Sequence, residues 1–269
     1  MSTAAKLEKL KDTIKEMGNL VVAFSGGVDS SFLLKVAHEV LGDKVLAVTA
    51  RSSTYPEREY NEAMGFVAEY RIPSKVIISE ELEVEGFTDN PLNRCYLCKH
   101  ELFNKMKQLA IREGYNYIAE GSNQDDLGDY RPGLQAVAEL GIVSPLRDAG
   151  LTKAEIRLLS KELGLKTWDK PAFACLSSRF PYGEKITTEK LQMVDKAEQF
   201  LIDLGFRQIR VRHHGSVARI EVDEPDFDRF FIDKEIRSSI YLKFKELGFI
   251  HVALDLKGYR TGSMNEGFI

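Results

Sequence analysis

The chain has 269 residues, 43% of them hydrophobic, and a formal net charge of -4. That length is comfortable for two domains, and the acidic balance argues against a protein that holds tRNA or DNA along a broad basic surface. The longest apolar stretches are strand-sized, which argues against a transmembrane helix. Met1 to Leu20 alternates Lys, Glu and Leu at helical spacing and lacks the apolar core of a signal peptide, so a cytoplasmic protein with no membrane partner is expected.

After that first helix, residues 19–24 (NLVVAF) form a short apolar run that predicts a buried strand. SGGVDS follows, then the helical pattern SFLLKVAHEVLG, ended by Gly42. KVLAVTA reads as a second strand, Pro56 opens a helix through Tyr70, and SKVIIS is a third strand. Pro91 can begin a helix to about Glu113, since proline is tolerated in a first helical turn. YNYIAEGS and IVSPL predict a fourth and a fifth strand, and Thr152 with Glu155 forms a capping box for a helix to about Leu163. This alternation predicts an α/β domain, a doubly wound parallel sheet with helices on both faces, over residues 1–166. Ligands in such folds bind beyond the carboxyl ends of the strands.

The pattern then changes. Residues 167–186, with Pro171, Pro181 and Gly183, read as a long irregular loop. A helix (about 188–204), two strands (RQIRVRHH and SVARIEV), a long helix (about 226–247) and a last strand (HVALDL) complete a smaller α+β domain, 167–269.

AFSGGVDSS lies between a strand and a helix and has the chemistry of an anion site. Gly26 and Gly27 let the backbone turn tightly against a phosphate, and helix-start N–H groups point at its oxygens. Ser25 and Ser30 add hydroxyls. Asp29 repels phosphate and makes sense only with a divalent cation, Mg²⁺, between it and the triphosphate. The bland alternative is a Gly-Gly turn with an Asp cap. No G-x-x-x-x-G-K-[ST] occurs, so this is not a kinase-type P-loop. The segment resembles the PP-loop of ATP pyrophosphatases, which cleave ATP between the α and β phosphates and form adenylates. The resemblance implies that Ser25, Gly26, Gly27, Asp29 and Ser30 hold pyrophosphate, that Ala50 and Arg51 lie near the adenosine, and that Gly121, Ser122 and Asn123 sit at the ligand edge.

Three cysteines are present, Cys95, Cys98 and Cys175, and an odd number in a cytoplasmic chain favours metal or sulfur chemistry over a disulfide framework. The C-x-x-C of NRCYLCKHELF, at a helix start, reads as a redox pair, half of a zinc site or part of an iron–sulfur site. Arg210 and Arg212, two apart on a strand, share one face. They form either a guanidinium clamp for a phosphate or two solvated arginines. Arg179, beside Ser177 and Ser178, is a second anion-binding candidate, with loop anchoring as its alternative. Asp125, Asp126, Asp129 and Arg131 line the ATP side or form a solvated acidic loop. Of His213 and His214, at most one faces a site.

EGSNQDDLGDYRPG (120–133), ACLSSRFPYG (174–183), RVRHH (210–214) and DLKGYRTGSMN (255–265), together with SGGVDS, resemble the LarE family over essentially the whole chain. The resemblance implies an ATP-dependent sulfurtransferase that thiolates the carboxylates of a pyridinium-3,5-biscarboxylate mononucleotide, for the nickel-pincer nucleotide of lactate racemase. It implies substrate contacts from Ser178, Arg179, Arg210, Arg212 and Glu198, the last otherwise a surface glutamate. It also implies a homo-oligomer, since family members assemble as hexamers. One kind of member donates sulfur from a single loop cysteine. The other, which this chain resembles, carries C-x-x-C as well and binds a [4Fe-4S] cluster through three thiolates, implying a sulfide donor and catalytic roles for Cys95, Cys98 and Cys175. The rival readings are a tRNA thiolase, an ammonia-using adenylating synthetase with structural cysteines, and a non-enzymatic nucleotide-binding module. Net charge weighs against the first, the C-x-x-C against the second, and Asp29 against the third.

Overall fold

The computed structural model of the protein describes residues 1–128, 132–172 and 174–266, and divides into two compact units. The first comprises Met1–Val84 and Asn93–Ala172, the second Glu85–Leu92 and Phe173–Ile269.

In the first unit the chain runs through α1 (Thr3–Met17), β1 (Leu20–Ala23), α2 (Val28–Leu41), β2 (Val45–Arg51), α3 (Glu57–Glu69) and β3 (Ser74–Ile78). It continues with α4 (Arg94–Glu113), β4 (Ile118–Ala119), α5 (Gly133–Glu139), α6 (Pro145–Asp148) and α7 (Lys153–Glu162). The four strands form a parallel sheet in the order β3-β2-β1-β4. The side-chain period of two sorts the apolar runs onto two faces. Leu20, Val22, Val45 and Ala47 point into a core with Phe32, Ala63 and Phe66 of α2 and α3 and with residues of α1 and α7. Val21, Leu46, Val48 and Ile118 point the other way, against Phe103, Met106 and Ala110 of α4 and Val137 of α5. Both faces are thus covered, as continuous apolar strands require, and the fold is the expected doubly wound α/β sheet.

The second unit holds α8 (Thr188–Asp203), β5 (Ile209–His214), β6 (Val217–Val222), α9 (Glu224–Ile232), α10 (Lys234–Glu246) and β7 (His251–Leu254). Its mixed sheet runs β5-β6-β7, with β5 and β6 antiparallel and β6 and β7 parallel. Val211, Ile220 and Val222 meet Leu201 of α8 and Phe244 of α10 in its core.

Three expected elements differ. IVSPL forms no fifth strand: Val143 makes one bridge to Ala119, and Pro145, without an N–H to extend the ladder, opens α6 instead. The long helix at 226–247 is two helices, α9 and α10, parted at Asp233, whose extended backbone lets its carboxylate cap Glu235 and Ile236. The helix expected from Pro91 starts at Arg94, because residues 85–92 belong to the second unit. There the buried Asn90 (φ 53°) donates to the carbonyls of Phe180 and Pro181, and the Thr88 carbonyl accepts from Ile186. The capping box at Thr152 and Glu155 forms as its spacing predicts.

Candidate functional site

In the first unit the strand order reverses between β1 and β4, the switch point where such sheets bind ligands. The SGGVDS loop leaves the carboxyl end of β1, and Glu120 to Asn123 leave that of β4. Gly26 has φ +66° and a Cβ there would lie 3.0 Å from the Ala63 Cβ, so both backbone and space demand glycine. Gly27 is the N-cap of α2 and offers no side chain to its first turn, leaving those amides for an anion. Ser30 Oγ donates to the Gly27 carbonyl and lies 3.1 Å from Ser25 Oγ. A Cβ on Gly121 would lie 3.1 Å from the Ser30 nitrogen, so the loop after β4 packs directly on the start of α2.

Asp29 Oδ2 lies 2.5 Å from Lys153 Nζ, and its Oδ1 accepts from Asn123 Nδ2 at 3.4 Å. Asp126 accepts from the Asn123 amide, and Asp125 from the amide of Lys153. The two carboxylates therefore tie down backbone amides, and Asp129 and Arg131 lie outside the described residues. Glu120 is buried and accepts from Ser122 and Ser144, with Lys99 Nζ at 3.4 Å. Burial works to raise its pKa, but Lys99 and the hydroxyls prevail and hold it below the ordinary carboxylate value. Ala50 and the exposed Arg51 end β2, with Arg51 paired to Glu57 and stacked on Tyr60.

Sequence reasoning did not single out Lys153, Lys170 or Tyr55. Lys170 Nζ lies 2.7 Å from Glu59 and 2.6 Å from Glu62 and donates to the Gly26 carbonyl; Tyr55 donates to that of Ser25. Lys153 did carry a signal: a lysine at the first position of a helix opposes the macrodipole and needs a local anion, here Asp29.

Cys95 and Cys98 fall at the start of α4, three residues apart and so on one side of the helix. Cys95 is exposed; Cys98 is half-buried and its thiol donates to Glu81 at 3.6 Å. In the second unit, the half-buried Cys175 precedes a 3₁₀ turn, Leu176–Arg179, and its carbonyl accepts from Ser178 and Arg179. Among the described residues no group of three or more His, Cys, Asp or Glu side chains is gathered as metal ligands.

Arg179, Arg210, Arg212 and Glu198 are all buried. Arg179 makes a two-pronged pair with Glu198 and donates to the Ala174 carbonyl and to Ser178 Oγ. Glu198, on α8, also accepts from the Val211 amide, so it is a core carboxylate and not a surface one. Burial would raise its pKa, but the charges of Arg179 and then Arg210 hold it well below the carboxylate range. Arg212 bridges Glu221, Ser263 Oγ and the Ser178 carbonyl. Arg210 stacks on Tyr259, and burial followed by the charge of Arg179 pulls its pKa down to about 10. Burial disfavours the charged guanidinium, and the neighbouring charge of Arg179 adds to that, against the opposing pull of Glu198. His213 is buried beside Glu184 between Phe180 and Phe249, and His214 bonds Arg219.

Residues 3–91 match the NAD synthase family model. With the parallel sheet and the loop at its switch point, that match defines a PP-loop α/β enzyme. The chain is 36% identical over 264 residues to the pyridinium-3,5-bisthiocarboxylic acid mononucleotide synthase of Lactiplantibacillus plantarum, covering 98% of this chain and 95% of that protein. It belongs to this synthase family, LarE, and is an ATP-dependent sulfurtransferase. An uncharacterized protein of Synechocystis sp. is 44% identical over 261 residues, 97% of either chain. The glutamine-hydrolyzing GMP synthase of Ruegeria sp. is 28% identical over 239 residues, 77% of this chain and 43% of that protein. Among the described residues no helix is long and apolar enough to cross a membrane.

Proposed function

We propose that this enzyme adenylates the carboxylates of pyridinium-3,5-biscarboxylic acid mononucleotide and replaces AMP with sulfur. The observation that carries the reading is the SGGVDS loop at the sheet's switch point, its amides uncapped and its Asp29 balanced by a cation, Lys153. Ser25, Gly26, Gly27 and Ser30 cradle the pyrophosphate end of ATP, and Asp29 would hold a Mg²⁺ ion, which would offset the charge of the phosphates. Ala50, Arg51, Gly121 and Asn123 border the nucleotide. A substrate carboxylate attacks the α-phosphate; its oxygen–phosphorus bond forms as the bond to pyrophosphate breaks. Sulfide then adds to the acyl carbon and AMP leaves. Arg210 and Arg212 take the substrate phosphate, supported by their places two apart on β5. Arg179 and Glu198 hold the loop carrying Cys175 and Ser178.

Cys95, Cys98 and Cys175 fit a [4Fe-4S] cluster in the chemistry of their donors, thiolates being the usual ligands, and Cys95 and Cys98 share one helix side. The three thiolates would hold the cluster, which would carry hydrosulfide from the sulfide donor for transfer. The same reading makes the protein a cytoplasmic homo-oligomer. In support, the second unit exposes Phe231, Ile232, Tyr241, Leu242 and Leu256 beside an apolar cavity of about 680 Å³.

The test combines product analysis with spectroscopy of anaerobically purified protein. AMP and pyrophosphate are the expected products, and ADP as the main product overturns the adenylation. Iron and sulfide with broad absorption, both lost on Cys→Ala at any of the three positions while adenylation persists, are expected for the cluster. Dehydroalanine at Cys175 after a single turnover replaces the cluster with sacrificial transfer.

A further inference from the structure

The face of the phosphate loop turned away from the anion is pinned at three points. The Gly26 Cα packs against Ala63 of α3, where even a Cβ would come within 3.0 Å. The Gly26 carbonyl accepts from Lys170 Nζ at 3.2 Å, and the Ser25 carbonyl accepts from Tyr55 Oη at 2.8 Å. Lys170 is itself held between Glu59 and Glu62 of α3 and is only 12% exposed. Tyr55 remains a donor, its pKa raised by burial and then by the charges of Glu59 and Glu62.

A trans peptide is planar, with its C=O and N–H on opposite sides. The peptide after Ser25 carries the Gly26 N–H, and the peptide after Gly26 carries the Gly27 N–H. Holding both carbonyls toward α3 and Lys170 therefore turns both N–H groups the other way, to the side where a phosphate sits. Glycine at φ +66° has little conformational preference of its own, so the direction of these dipoles must be imposed from outside. We infer that Lys170 and Tyr55 are positioning residues of the pyrophosphate cradle, acting on the anion only through the backbone they hold. Preorganised amides stabilise an anion because no reorganisation is needed when it arrives. The inference rests on the loop being the pyrophosphate site.

Calorimetry with Mg²⁺–pyrophosphate on the full chain tests it, alongside steady-state AMP formation. Lys170→Met should raise the pyrophosphate Kd and the KM for ATP by about tenfold or more, the scale of a lost charge-assisted hydrogen bond. The KM for the carboxylate substrate should stay at its wild-type value. Lys170→Arg, which keeps a donor and its charge, should recover most of the affinity. Tyr55→Phe, which deletes one oxygen, should weaken pyrophosphate by a few-fold. Wild-type affinity in a folded Lys170→Met overturns the inference. So does an unfolded Lys170→Met accompanied by a Tyr55→Phe that binds pyrophosphate as the wild type does. Absence of pyrophosphate binding in the wild-type protein sinks the assignment of the loop itself; wild-type binding with unchanged variants sinks this inference alone.

Discussion

The two regions proposed to hold phosphate are built from opposite materials. In the first unit the cradle is backbone: glycines, helix-start amides and two hydroxyls, with Asp29 beside them only part-buried and paired to Lys153. In the second unit it is side chain: Arg179, Arg210 and Arg212, buried with Glu198 and Glu221. An amide cradle carries no net charge of its own, and loss of Asp29 would strand only Lys153, a third exposed. A buried guanidinium–carboxylate network cannot be altered so freely. Breaking one partner leaves the other charged and desolvated, so stability and recognition are entangled.

Substitutions at three positions sharpen that contrast. The largest effect is expected from Asp29→Ala, which should abolish pyrophosphate release while leaving the thermal transition nearly unchanged; a collapsed fold would show that the cradle is as structural as the arginine network. Next, Glu198→Ala should destabilise by about 3–5 kcal/mol, because Arg179 loses its buried partner. The pH dependence has a definite sign. Glu198 titrates lower folded than its ordinary 4.5, so between those values the unfolded chain binds more protons. Its contribution is therefore complete above about pH 4.5 and fades as pH falls through the folded value. Denaturant melts across that window should show a shallower slope in Glu198→Gln, and an unchanged slope would break the assignment. Smallest is Arg210→Ala, expected to cost roughly 1.5–3 kcal/mol of substrate binding, about ten- to a hundredfold in KM, with ATP affinity untouched. Equal loss of ATP and substrate affinity would instead point to damage to the fold.

The same difference in materials decides what the sequence discloses. SGGVDS is contiguous, so its anion chemistry reads directly from six letters. The sheet was legible for a similar reason: NLVVAF and KVLAVTA are unbroken apolar runs with helical patterns between them. Lys170 reaches Gly26 from 144 positions away, a pairing that periodicity does not report. Glu198 looks like a helix-surface glutamate until Arg179 and the Val211 amide are brought to it. Asp233 interrupts what reads as one amphipathic helix because a carboxylate can either decorate a helix or cap the next one, and only its extended backbone decides. IVSPL stops at one bridge because Pro145 has no N–H to extend the ladder and opens α6.

The excursion of residues 85–92 has a consequence for inheritance and synthesis. The second unit is not one stretch of gene: eight of its residues are translated before α4, well ahead of the rest. Asn90 waits for Phe180, Pro181 and Gly183 to emerge from the ribosome before its hydrogen bonds exist. A shuffling event that moved only the C-terminal stretch would leave behind the donor that closes its loop. The two units are therefore expected to have travelled through evolution as a single inherited piece, and the second to complete its folding only after its C-terminal stretch has been made.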